Sequence, residues 1–300
     1  MRLDDFDDGI RVEDQRGGNF GGGGGGFGGG GLISLLFGIL PLLMGRKLGC
    51  GTIAILAVVG FLFFSSGALQ FGGADGGSGG TAQQGGSTLA ESCNIDAASK
   101  EACNTLASLD KTWADLVQGY ERPKLVFYSN RGQSGCGAAQ SQMGPFYCPS
   151  DNGVYLDTSF FQQMEQQLGA KGDFARAYVI AHEVGHHIQN ITGRANQVRQ
   201  AQSRVNQAQG NALQVRMELE ADCFAGVWAA RNKDRIEPGD FEEGMTAAAS
   251  IGDDTLMRNA GQRPVESAFT HGTSEQRMRW LRKGLETGNP RACDTFSGPV

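Results

Sequence analysis

The chain has 300 residues, 47 of them glycine, and a formal net charge of −6. An acidic balance with no long run of like charge excludes a nucleic-acid-binding surface and a charged interaction tail. The glycine excess is local, in Gly17–Gly31 and in the Gly/Ser/Gln-rich stretch 72–86. Such composition cannot bury enough apolar surface to offset the entropy of ordering.

Residues 1–31 are therefore expected to form a disordered leader. Leu32–Met44 is apolar but has only 13 residues and contains Pro41, so it reads as interfacial or half-inserted. Thr52–Leu69 is 18 residues without a charge. As a helix it reaches about 27 Å, close to the ~30 Å hydrocarbon core, and it is expected to cross a membrane. Arg46 and Lys47 just before it belong on the cytoplasmic side. Everything after residue 69 then lies outside, whether Thr52–Leu69 spans alone, the simpler arrangement, or pairs with Leu32–Met44 as a hairpin. A cleaved signal peptide is not expected, since the apolar run starts about fifty residues in, and Lys47 argues against a lipidated Cys50. The expected location is the cytoplasmic (inner) membrane, with a catalytic-sized body facing the extracytoplasmic or periplasmic space. Residues 70–87 form a linker, and about 213 residues remain from 88 onward, enough for one domain with its own core.

Six cysteines fall in that domain with no CxxC spacing, which suits disulfides in an oxidising compartment better than a cysteine metal site. Among fifteen pairings, proximity favours Cys93–Cys103 and Cys136–Cys148, leaving Cys223–Cys293. Apolar spacing predicts a helix over 92–119, then a strand at Lys124–Ser129. Short β pieces follow at Ala138–Met143, Pro145–Cys148 and Val154–Leu156, separated by Gly, Pro and Asp-Asn-Gly. A helix starts at Thr158 or Ser159 and ends at Gly169. Another, capped by Asp173, runs from Phe174 to about Ile191. The Gln-rich stretch 194–210 is an exposed helix or a mobile insert. Helical periodicity resumes over 211–228, again from Asp240 with Glu243 as a capping box, and last over Ser274–Glu286. A small sheet with many helices is an α+β arrangement.

Three of the four histidines lie in Ala181-His-Glu-Val-Gly-His-His-Ile. His182 and His186 are i and i+4 on one helix, so both imidazoles leave the same face and suit one zinc ion. Glu183, about 100° round the helix, is placed to reach a water on that ion without ligating it. A third ligand is expected from Met217-Glu-Leu-Glu-Ala-Asp. Glu218 and Asp222 share a face: Glu218 as ligand, Asp222 orienting His182 or His186. Glu220 points away from that face and is the lesser alternative.

HEVGHH followed by ELEADCFAG resembles the gluzincin metallopeptidases. It is closely similar to the YpfJ-like "putative neutral zinc metallopeptidase" family of bacteria, as are KLVFYSNRGQSGCGAAQSQMGPFYCPSDNGVYLD, AAASIGDD and THGTSEQRMRWL. The similarity covers roughly residues 88–296. It implies a zincin-like fold, zinc on His182, His186 and Glu218, and Glu183 as catalytic acid and base in hydrolysis of protein or peptide substrates. A second electrophile is needed for the developing oxyanion. His271, in a Gly-flanked loop, is the candidate, with Tyr128 and Tyr155 behind it. A likeness to the His-Pro turn of CAAX-prenyl-protease-like membrane gluzincins implies a zinc-proximal or gating role for His271 instead, and capping of the last helix is a third reading. His187 is expected to pack or to support a ligand. Ala138–Met143 is either the edge strand that pairs with extended substrate or a plain disulfide-braced hairpin. Two other functions compete: a catalytically degenerate zinc-binding, chaperone-like module at the membrane, and a zinc amidase of cell-wall peptides.

Overall fold

The computed structural model describes residues 1–4, 7–18 and 88–300. In chain order these form β1 (Arg11–Asp14), α1 (Leu89–Cys93), α2 (Ala97–Leu116), β2 (Lys124–Phe127), β3 (Arg131–Ser134) and β4 (Gly137–Gln140). β5 (Phe146–Cys148), β6 (Gly153–Leu156), α3 (Ser159–Leu168), α4 (Asp173–Ile191), α5 (Arg194–Gln202) and α6 (Gln207–Arg231) follow. The last three helices are α7 (Asp240–Ser250), α8 (Asp253–Asn259) and α9 (Ser274–Thr287). The arrangement is α+β, mostly helical with a small sheet.

Strands β1, β2 and β6 pair in parallel and β5 closes one edge antiparallel to β6. Period-two alternation gives β2 two buried faces. Leu125 and Phe127 enter the main core with the helices, while Val126 packs with Tyr128, Tyr155 and Ala139 under the β3–β4 hairpin. Tyr128 and Tyr155 are thus consumed by packing, their hydroxyls donating to the Gln140 carbonyl and to Asp151. Neither lines the cleft described below, which removes both as oxyanion partners. Among the described residues β4 pairs with β3 alone, and Cys136–Cys148 ties their turn to β5, which fits the disulfide-braced hairpin of the two readings for 138–143. Of that segment Met143 reaches the cleft, beside Phe146 and Tyr147 of β5.

The disordered leader expected over 1–31 is corrected at its start. β1 pairs with β2 in register from Arg11↔Lys124 to Asp14↔Phe127, and Met1 and Ile10 are buried in the core. Arg16 ties this segment down, bonding Asp14, the Ser99 hydroxyl and the Ser92 carbonyl with its guanidinium over Phe127. The remainder of the leader, both apolar runs and the linker lie outside the described residues. Among the described residues no helix is long and apolar enough to cross a membrane.

Two expected caps work elsewhere. Asp173 and Asp240 accept the Met1 amine at 2.8 and 2.9 Å, and Glu243 accepts from the Phe174 backbone N–H at the start of α4. Glycine at the N-cap of both helices leaves first-turn donors that a neighbouring helix's carboxylate can take. The helix expected over 92–119 is broken at Asn94–Asp96, where Asp96 caps α2. Stretch 194–210 contains the ordered helix α5 and the Asn206–Gln209 capping box of α6. The three disulfides are Cys93–Cys103, Cys136–Cys148 and Cys223–Cys293.

Candidate metal centre

Two close approaches of backbone assemble the site. A Cβ on Gly185 would lie 2.9 Å from Ala221 Cα, so glycine lets α4 meet α6 at the turn carrying the histidines. A Cβ on Gly284 would lie 1.9 Å from the Cys223 carbonyl oxygen, so α9 rests directly on α6. The first contact brings His182 and His186 to Glu218; the second brings Arg277 to Asp222.

His182 Nε2 lies 3.1 Å and His186 Nε2 lies 3.6 Å from the same Glu218 oxygen, Oε2. One donor atom from each of the three residues fits within 4.8 Å of the others. Each ring is held from behind. His182 Nδ1 is 2.8 Å from Asp222 Oδ1, and His186 Nδ1 is 2.8 Å from Gln189 Oε1. Both partners are acceptors there, so each Nδ1 carries a proton and each Nε2 is the atom turned inward, toward Glu218. Gln214 donates to the other Glu218 oxygen at 2.8 Å.

Asp222 is fully buried. It accepts from the Tyr178 hydroxyl at 2.6 Å and from Arg277 through Nε and Nη2, both at 2.9 Å. Burial alone would raise its carboxyl, yet Arg277 and His182 hold it below the usual range. His182 shows the converse: burial disfavours the charged ring, but Asp222 and Glu218 outweigh it and lift its pKa to about 10. Glu218 is drawn well below the ordinary carboxylate range against its burial, chiefly by His186.

Glu183 sits beside the donor set and is almost fully buried. Burial pushes its carboxyl upward; the two histidines and the Tyr147 backbone N–H in β5 oppose that shift. All four residues line a cleft of about 560 Å³, whose walls include Met143–Tyr147 on one side and α5 on the other. His271 lines the same cleft. Asp253 holds its loop, accepting from the backbone N–H groups of Thr270, His271 and Gly272, with Oδ1 3.3 Å from His271 Nδ1.

His182, Glu183, His186, Glu218 and His271 thus line one cleft, with Asp222 buried behind His182. His187 packs away from it, against the Glu121 carbonyl and Tyr147 hydroxyl. Glu220 faces Gln189 and Arg194. Sequence reasoning missed Arg277, Tyr178, Gln189 and Asp253. Arg277 had a signal: it shares the apolar stripe of its helix with Trp280, Leu281 and Gly284, an odd place for a cation without a buried partner. A second carboxylate cluster, Asp173, Asp240 and Glu243, has metal-like spacing, but its first two members face the Met1 amine.

The family model described as "Putative neutral zinc metallopeptidase" matches residues 1–296. The chain belongs to that family. It is 48% identical over 220 residues to the uncharacterized protein YpfJ of Escherichia coli (strain K12), spanning 71% of this chain and 77% of that one. It is 42% identical over 204 residues to an uncharacterized protein of Mycobacterium tuberculosis (strain ATCC 25618 / H37Rv), spanning 63% and 68%. No solved structure matches.

Proposed function

We propose that the chain is a zinc-dependent endopeptidase in which Glu183 is the general base and acid. The observation carrying this reading is the convergence of His182, His186 and Glu218 on a common point beside a buried glutamate in an open cleft. Two imidazoles, which give up their Nε2 protons when a cation takes that place, and one carboxylate match a catalytic zinc set, and their spacing leaves room for an ion between them. Zinc bound there supplies a Lewis acid that lowers the pKa of water to about 7.

The chain's own residues carry the proton and the charge. Glu183, its carboxyl raised by burial, accepts the proton of the attacking water and returns it to the leaving amine. His271, as an imidazolium with Nδ1–H toward Asp253, donates from Nε2 toward the oxyanion. Asp222 and Gln189 keep the imidazoles in one tautomer. Substrate is an extended peptide, and β5, whose Tyr147 N–H bears on Glu183, forms the adjacent wall.

Glu183→Gln is expected to keep stoichiometric zinc and lose hydrolysis of casein. Equal cleavage by variant and wild type refutes the assignment. Zinc uptake by the wild type with no cleavage of protein or peptidoglycan fragments favours a binding module instead, and cleavage of the fragments alone favours an amidase.

We also propose that the protein is anchored in the cytoplasmic membrane with the 88–300 body outside, a placement supported by the three disulfides and the apolar run Thr52–Leu69. The pairing of β1 with β2 adds a constraint, because two strands of one sheet share one side of a bilayer. That favours an even number of crossings, and with it the hairpin alternative of Leu32–Met44 and Thr52–Leu69 around Arg46 and Lys47 over the single pass. In Asp8→Cys, the new thiol is expected to react with a membrane-impermeant maleimide in spheroplasts. Labelling only after lysis overturns the two-crossing arrangement.

A further inference from the structure

The two imidazoles are held by different devices. Behind His182 stands a carboxylate paired with arginine. Behind His186 stands Gln189, an uncharged amide one helical turn further along α4. An amide offers a donor face and an acceptor face, and only the acceptor face suits a ring that must present Nε2 inward.

Something must therefore set which way the amide points. Gln189 Nε2 donates to the Met217 carbonyl at 2.7 Å and to Glu220 Oε2 at 3.0 Å. Both partners present acceptor oxygens to it, so they take both N–H bonds and leave Oε1 facing His186 Nδ1, at 2.8 Å. Gln189 is fully buried and Glu220 nearly so, which leaves no solvent route to an alternative arrangement. Glu220 is fixed in turn by Arg194 Nε at 3.3 Å, whose guanidinium lies 4.6 Å from the Phe296 ring centroid.

We infer that Gln189 and Glu220 are positioning residues for the metal centre: Glu220 orients the Gln189 amide, and the amide fixes the tautomer and aim of His186. The inference rests on the zinc reading above. In Glu218-x-Glu220 the first carboxylate faces the metal directly, and the second acts through Gln189 from the far side of the helix. Outer partners of this kind change metal affinity by about 10–100-fold when removed.

The test is zinc affinity of the full purified chain by competition with a chromophoric chelator, together with the visible spectrum of the cobalt-substituted protein. Gln189→Met keeps length and removes the acceptor; zinc affinity is expected to fall about 10–100-fold and the cobalt bands to shift. Glu220→Leu is expected to weaken zinc in the same direction. Glu220→Gln, which retains an acceptor for Nε2, is expected to restore affinity to within a few-fold of wild type. Unchanged affinity and spectrum in folded Gln189→Met, with only a lower melting temperature, overturns the inference. If Gln189→Met does not fold, the Glu220 pair decides: equal affinities of the Leu and Gln variants overturn it. A wild type that takes up no zinc overturns the metallopeptidase reading itself, and this inference with it. Zinc binding by the wild type equal to that of Gln189→Met overturns this inference alone.

Discussion

Replacing Arg277 by methionine keeps an unbranched chain in the core and deletes a guanidinium that is 1% exposed. Asp222, 0% exposed, would then lose both 2.9 Å bonds from Arg277 and retain the Tyr178 hydroxyl and the His182 ring. Breaking a buried ion pair from one side costs about 3–5 kcal/mol, because an uncompensated charge stays in a low-dielectric site. For a domain of this size each kcal/mol is worth roughly 2–4 °C, so the melting temperature should fall by roughly 6–20 °C. Asp222→Asn/Arg277→Met removes both charges while keeping a carbonyl oxygen for Tyr178 and His182. Most of the loss should return, since replacing both members of a buried pair is often close to neutral. The assay is thermal unfolding of the chelator-treated full chain, followed by calorimetry. A single variant within about 1 kcal/mol of wild type, or a double variant no more stable than the single, would refute the argument that this pair is held by its burial.

Two further outcomes follow from packing and charge. Gly284→Ala gains up to about 1 kcal/mol of helix propensity but pushes a Cβ into the Cys223 carbonyl, so it should destabilise by about 1–3 kcal/mol net of that gain. Gly210→Ala, with nothing within 4 Å of its Cβ, should stabilise by about 0.5–1 kcal/mol; matching shifts in thermal melts would refute the contact argument. Asp110 is pushed up to about 6 by burial, against the Tyr120 hydroxyl and Arg122. Its folded form binds the proton more tightly than the unfolded one, so its contribution to stability falls as pH rises from about 4 through 6. The charge costs about 2–3 kcal/mol above pH 7. Asp110→Asn should therefore stabilise at pH 8 and lose that advantage toward pH 4, and a gain independent of pH in urea titrations would refute it.

Much of the centre was legible because its spacings are local. His182, Glu183 and His186 lie within one helical turn, and Glu218 and Asp222 within another, so helical period alone assigned each group to a face. The strand at Lys124 and the helix ending at Gly169 were legible for the same reason. Asp240 misled because a carboxylate followed three residues later by Glu243 is a capping signal only if the helix's own donors are the nearest ones. Here Met1 and Phe174, from far along the chain, were nearer. Glu220 was read as off the ligand face, correctly, but its partner Gln189 carries no charge and no motif to mark it.

The sequence by itself determined most of the helices, the donor residues on their faces and the short-range disulfides, since each depends on groups a few residues apart; the break at Asn94–Asp96 and the short helix Asp253–Asn259 escaped it. Only the tertiary structure decided that residues 11–14 complete the sheet, that β5 forms a wall of the cleft, and that Arg277 and Gln189 stand behind the ligands. Those outcomes depend on which backbones can approach within van der Waals contact, as at Gly185 and Gly284. A buried charge or amide then takes whatever partner that contact brings within reach, because inside the core no water is there to replace it.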